Sequence, residues 1–176
     1  MSKEEEARYP IGRFAPQPTY TKEEIQQLID RIESAPQKIE QAVNELTGDQ
    51  LDTPYRSGGW TVRQVVHHLA DSHMNAFIRL KWTLTENTPT IKAYDEKAWA
   101  ETPDTQLDPT VSIEFLKILH VRWVTLLRMI PHEELLTKSF VHPETGKQVT
   151  LARQIATYAW HGDHHLAHIL LVANNR

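Results

Sequence analysis

Gly58-Gly59-Trp60-Thr61-Val62-Arg63-Gln64-Val65-Val66-His67-His68-Leu69-Ala70-Asp71-Ser72-His73 is the stretch whose reading decides the fold. Thr61 and Gln64 stand three apart, the spacing of a capping box. In that motif the threonine hydroxyl accepts from the third helical amide while the glutamine side chain reaches back to the cap. Behind it Val62, Val65, Val66, Leu69, Ala76, Phe77, Leu80 and Leu84 return at helical spacing, which predicts an amphipathic helix rather than a strand.

The same signature repeats on either side. Thr21 and Glu24 form a second capping box ahead of Ile25, Leu28, Ile29 and Ile32. Ser34-Ala35-Pro36 interrupts that run, because proline has no amide donor and disfavours helix at the residue before it. The helix either kinks there or restarts with Pro36 at its first position, running on through Ile39, Val43 and Leu46. A third helix is expected from about Ser112 to Met129, closed by Pro131, and a last one from the cap Thr150 to about Val172. Four long amphipathic helices predict an all-α four-helix bundle, one domain over residues 1–176. The pattern leaves up-down and crossover topologies both open.

The connections carry their own signals. Residues 1–20, with Pro10, Pro16 and Pro18, read as an extended arm. Residues 87–110, with three prolines, form a connection longer than compact domains usually tolerate without a functional reason. Phe140 to His142 and Gln148-Val149, around a turn at Pro143 to Gly146, read as a short hairpin.

Composition narrows the chemistry. At 40% hydrophobic and 24% charged residues the chain can bury a core. A net charge of -4 without a basic window argues against a nucleic-acid partner or an anionic membrane surface. No apolar run approaches the roughly 20 residues of a membrane span, and Glu4-Glu5-Glu6 is unlike an export signal; the expected compartment is cytoplasmic. With no cysteine, disulfides, thiolate metal sites and a cysteine nucleophile are excluded. A transition metal would need histidine and carboxylate ligands.

The chain has ten histidines, and seven fall in two windows: His67, His68 and His73, then His161, His164, His165 and His168. At 100° per residue, His68 flanks the apolar stripe of its helix, roughly 60° from its near edge. His67 falls about 100° the other way, towards solvent, and His73 lies inside the stripe. On the last helix His161 and His165 lie nearest the core edge, with His164 and His168 further out. Their i, i+4 spacing puts both imidazoles on one face. The wheel prefers this pair without excluding His164 with His168, and a solvated or pH-sensitive histidine face fits the same spacing. Gly162 on the buried side would let another helix approach closely.

Three neutral imidazoles on a metal leave a fourth position for water, the ligand set of an open catalytic site. The metal would lower the pKa of that water to about 7 and make hydroxide available as nucleophile. Zinc suits the set best, with nickel or another late first-row ion also accepted. The chain has no Glu-x-x-His, the di-iron signature. Its His161-Gly162-Asp163-His164-His165 lacks the glutamate of zinc peptidases. Asp71 and Asp163 read as solvated or capping residues.

Two segments, Gly58 to Asn75 and Tyr158 to Ile169, resemble the DinB-like family, specifically its Bacillus-type metal-dependent hydrolases. Leu51 to Arg56 and Pro89 to Trp99 extend the likeness over most of the chain. The resemblance implies a four-helix bundle, a homodimer, and one divalent metal per subunit. It implies His68, directly before Leu69-Ala70-Asp71, as first ligand, and His161 and His165 as the other two. Many members follow the last ligand with Arg-Gly-Gln, whereas this chain has Leu166-Ala167-His168. The activity implied is hydrolysis of a small molecule. Some relatives are instead bacillithiol S-transferases, and a non-catalytic metal-binding or dimerising bundle is the third class. His73, Tyr94, Trp99 and Trp160 are candidates for the pocket or for support of the ligands.

Overall fold

The computed structural model describes residues 3–174; the first two residues of the expected arm and the last two of the chain lie outside the described residues. In chain order the helices are α1 (Lys3–Arg8), α2 (Lys22–Asn44), α3 (Gly48–Leu51), α4 (Val62–Thr85), α5 (Glu96–Trp99), α6 (Pro109–Met129), α7 (His132–Thr137) and α8 (Leu151–Ala173). A 3-10 turn spans Pro103–Gln106, and strands β1 (Ser139–Val141) and β2 (Gln148–Thr150) pair antiparallel between α7 and α8. The hairpin pairs Phe140 with Val149, as the sequence pattern predicts. No described helix is long and apolar enough to cross a membrane.

Both capping boxes form. The Thr21 hydroxyl accepts from the Glu24 amide at 3.2 Å while Glu24 Oε2 accepts from the Thr21 amide at 2.7 Å. Thr61 and Gln64 make the same reciprocal pair at 3.2 and 3.1 Å. α2 runs unbroken through Pro36. α6 begins three residues before the expected Ser112, with Asp108 Oδ1 accepting from the Thr110 amide and Pro109 pre-set for the first turn.

The four long helices pack in a definite order. α2 lies against α8 and α6, and α4 lies against the same two. Around the bundle the sequence is therefore α2, α8, α4, α6, so helices that follow one another along the chain, α2 then α4 and α6 then α8, sit on diagonals. Periodicity reports which face of a helix is apolar but not which helix meets it, so this order was beyond the sequence.

The core is divided. One apolar cluster holds Ile29, Ile32, Leu80, Trp123, Leu127 and Ile155; the other holds Ile39, Val65, Leu69, Leu116 and Ile169. Between them along α4, α6 and α8 stand His73, His120 and His161. A layer of imidazoles thus interrupts an otherwise apolar interior.

The expected extended arm is corrected. Residues 3–8 form α1, which packs on α8, and only the residues after it are extended. Three glutamates in its first turn favour the helix through the dipole. The segment is too short to show a period, which is why the prolines dominated its reading. The long connection also has structure: Asp95 caps α5 by accepting from the Lys97 and Ala98 amides.

Candidate metal centre

α4 and α8 are neighbours in the ring, so His68 on one faces His161 and His165 on the other. Each of the three offers a ring nitrogen, and the three nitrogens lie within 4.8 Å of one another. Nε2 of His68 and Nε2 of His161 are 3.2 Å apart. Among the described residues this is the one group of three or more potential ligands so arranged. His68 and His165 are buried and His161 is half-buried.

Burial sets the charge of these rings. Desolvation disfavours imidazolium, and it pulls His68 down to about 4. His161 and His165 lie well below the ordinary value, first through burial and then through the neighbouring histidines. Neutral rings carry the lone pair that a metal needs.

The donor set fits a divalent cation. Two imidazole nitrogens at a tetrahedral ion with bonds of about 2.0–2.1 Å would be separated by about 3.3 Å. The 3.2 Å between His68 and His161 is that spacing. Zinc and other borderline cations accept such a set.

Aromatic rings wall the site. Trp60, positioned by the α4 cap, lies 4.6 Å from His68 between centroids. Trp160 stacks on His164 at 4.4 Å, and its indole N–H donates to the Gly12 carbonyl. A cavity of about 650 Å³ opens over the three histidines; Arg8, Tyr55, Arg56, Glu96 and Glu101 also line it. A second, of about 570 Å³, reaches His161 from the other side past Ser72, Arg79, Tyr94 and Tyr158. Burial holds the Tyr94 phenol above its usual range, and the Ser72 hydroxyl lies within its reach.

A model of the DinB superfamily matches residues 31–169. The chain belongs to the DinB superfamily. This DinB-superfamily bundle is 51% identical over 162 residues to a Bacillus subtilis (strain 168) protein named "Putative metal-dependent hydrolase YfiT", covering 92% of this chain and 90% of that one. It is 54% identical over 162 residues to a Bacillus cereus (strain 03BB102) protein of the same hydrolase designation, covering 92% of each. A solved structure, described as "YfiT from Bacillus subtilis is a probable metal-dependent hydrolase with an unusual four-helix bundle topology", superposes with a TM-score of 0.92 at 49% identity over 95% of both chains.

Several histidines of the DinB-superfamily bundle sit where the helical wheel did not place them. His67 is buried: its ring meets the Ser112 hydroxyl at 2.7 Å and the Leu107 carbonyl at 3.1 Å. His164 and His168 are also buried, under Tyr9 and the Arg8 carbonyl from the α1 region and under Tyr55. The covering pieces come from α1, α6 and the connections, and a wheel knows only the helix it is drawn on.

His73 is fully buried between His120 and His161. His120 was missed. Its signal was present, since it shares the apolar stripe of α6 with Ile113, Leu116, Trp123 and Leu127. Tyr94 and Trp160 line the cavities, whereas Trp99 packs behind Tyr94 at 4.6 Å and lines neither. Asp163 is held by Arg31 of α2 at 2.7 Å. Asp71 is half-buried rather than solvated, and its carboxyl is pushed up to about 6 by burial, then by Asp104.

Proposed function

We propose that His68, His161 and His165 ligate one divalent ion per chain, zinc in the first instance, and that the protein is a metal-dependent hydrolase of a small molecule. The observation that carries the reading is the pair of imidazole nitrogens facing each other at 3.2 Å inside a cavity. An ion bound by both rings would take one lone pair from each nitrogen at that spacing. The hydrolase designation of relatives more than half identical supports the reaction class. When bound, such an ion supplies Lewis-acid polarisation and acidifies water in its open position.

The chain's own groups have separate parts. Trp60 and Trp160 would form apolar walls of the cavity over the histidines. Glu96 and Glu101 are the carboxylates lining the cavity and would be the groups to take up a proton there. Arg79 faces the adjoining cavity with a buried Nε that has no partner, and it would hold an anionic or carbonyl group of the substrate.

The test is metal analysis of protein purified without a nickel column, followed by turnover on ester, amide and phosphate panels. About one ion per chain is expected, with loss of that ion in His161→Ala. Unchanged stoichiometry in that variant would refute the ligand assignment. Turnover that requires an added thiol such as bacillithiol would replace hydrolysis by thiol transfer. We further propose that the chain pairs with a second copy through the outer face of α6, a reading supported by Phe115, Ile118, Val121 and Met129 being 42 to 75% exposed. Ile118→Glu should yield monomers in sedimentation velocity; an unchanged dimer would move the interface elsewhere.

A further inference from the structure

We propose that His73, His120 and His168 are positioning residues. Two hydrogen-bond chains, each ending on a backbone carbonyl, fix the tautomers of His161 and His165 so that both turn a bare Nε2 toward the three-histidine cluster. The proposal rests on reading that cluster as a metal site.

The polarity of each chain follows from its last acceptor. A carbonyl oxygen can only accept. Nδ1 of His120 lies 2.8 Å from the Ile32 carbonyl, so that nitrogen carries the ring's single N–H and Nε2 of His120 is bare. Nε2 of His120 is 2.8 Å from Nδ1 of His73, which must therefore donate, leaving Nε2 of His73 bare. That nitrogen meets Nδ1 of His161 at 3.3 Å, so His161 donates from Nδ1 and its Nε2 keeps a lone pair. This is the nitrogen facing His68.

The second chain is shorter. Nε2 of His168 lies 3.3 Å from the Arg8 carbonyl and donates to it. Nδ1 of His168 is then bare and accepts from Nδ1 of His165 at 3.3 Å, which frees Nε2 of His165. Two independent chains give the same tautomer at both members of the i, i+4 pair. A ring whose other nitrogen is so engaged is oriented before the ion arrives.

Ile32 is available as an anchor for a reason written in the sequence. In a regular helix its carbonyl would accept from the amide of residue 36. That residue is Pro36, which has no N–H and whose ring crowds the carbonyl four residues back. The one missing rung of the α2 ladder thus leaves free the acceptor that His120 uses. The longer chain passes through all four long helices, from Ile32 on α2 to His120 on α6, His73 on α4 and His161 on α8.

The test uses the full chain, metal-free and titrated with Zn²⁺ alone. Long-range ¹H–¹⁵N spectra of histidine-labelled apo protein should show His161 and His165 protonated at Nδ1 only. His73→Leu should disturb the tautomer of His161 and leave His165 unchanged; His168→Leu should do the reverse. Each should weaken zinc binding by about 10- to 100-fold in chelator competition. His73→Gln, whose amide oxygen can stand in for the accepting Nε2, should recover most of the loss. A proton on Nε2 of His161 or His165 in the apo protein overturns the proposal, as does wild-type zinc affinity in both leucine variants. Should His73→Leu not fold, the wild-type spectrum and His168→Leu decide. If wild-type protein takes up no zinc, the metal reading fails while the spectra still judge the two chains.

Discussion

Pro36→Ala tests site preparation directly, because it restores a helical partner to the Ile32 carbonyl that His120 now uses. Alanine restores an amide at residue 36 and returns the Ile32 carbonyl to the helical ladder, away from His120, which it now meets at 2.8 Å. Proline inside a helix is about 3 kcal/mol less favourable than alanine. Against that gain, proline's restriction of the unfolded chain is lost, about 0.5–1 kcal/mol. Pro36 is buried, and removing two of its methylenes costs about 0.8 kcal/mol each. Those terms leave about 0.4–0.9 kcal/mol in favour of alanine. The buried His120 N–H deprived of its acceptor costs about 1–3 kcal/mol, so the metal-free variant should be less stable by about 0–2.5 kcal/mol. With its acceptor withdrawn, His120 no longer orders His73 and His161, and zinc affinity should fall by about tenfold, or about 1.4 kcal/mol. Urea unfolding of the apo protein reads the first quantity, and zinc competition against a chelator reads the second. A variant that binds zinc as tightly as wild type, with the His120 tautomer unchanged, would refute the role given to Pro36.

Other substitutions test the surroundings. A Cβ at Gly162 would meet Ala35 Cβ at 3.4 Å and His73 Cε1 at 3.9 Å, both ordinary contacts. Gly162→Ala should therefore stabilise by about 0.5–1 kcal/mol in urea unfolding, while Gly162→Leu should cost about 1–3 kcal/mol by overpacking; a destabilised alanine variant would contradict the spacing. Asp71 has a folded pKa of about 6 against 3.8 unfolded, so the unfolded state ionises first and wild-type stability falls as pH rises between those values. After discounting for partial exposure, Asp71→Asn should be about 1 kcal/mol more stable than wild type at pH 7, with the difference vanishing near pH 4. A difference independent of pH would remove the titration as its cause. Asp163→Asn breaks a partly exposed pair with Arg31 and should cost about 0.5 kcal/mol; lost zinc in that variant would show that Asp163 reaches the site after all.

Much of this molecule was legible in the sequence because two of its signals are local. Thr21 with Glu24 and Thr61 with Gln64 needed only their own neighbours to form caps, and both did. That His68, His161 and His165 come together follows their angular positions, because the stripe beside each is long and apolar. His67, His164 and His168 were misplaced because what buries them arrives from elsewhere in the chain: Leu107 and, on α6, Ser112 on one side, Arg8 of α1, Tyr9 and Tyr55 on the other, none of it encoded in the period of their own helix. His120 carried a readable signal, a polar residue in register with Leu116 and Trp123, but gains its meaning only when His73 stands opposite. Pro36 implies a kink or a restart, whereas α2 runs through it, and the consequence of its missing amide lies on another helix.

The imidazole layer also constrains how the four helices can be arranged. Apolar side chains accept many partners, so a bundle with a uniform core can slide by one turn, about 5.4 Å, at modest cost. Here a slip of α2, α4 or α6 against the others would strand buried ring nitrogens of His73 or His120, or the Ile32 carbonyl, at about 1–3 kcal/mol for each unpaired group. Each long helix contributes one link, so no single helix can change register alone. The polar layer therefore acts as a keyway, excluding shifted packings that the two apolar clusters would tolerate, and it does so in the protein alone.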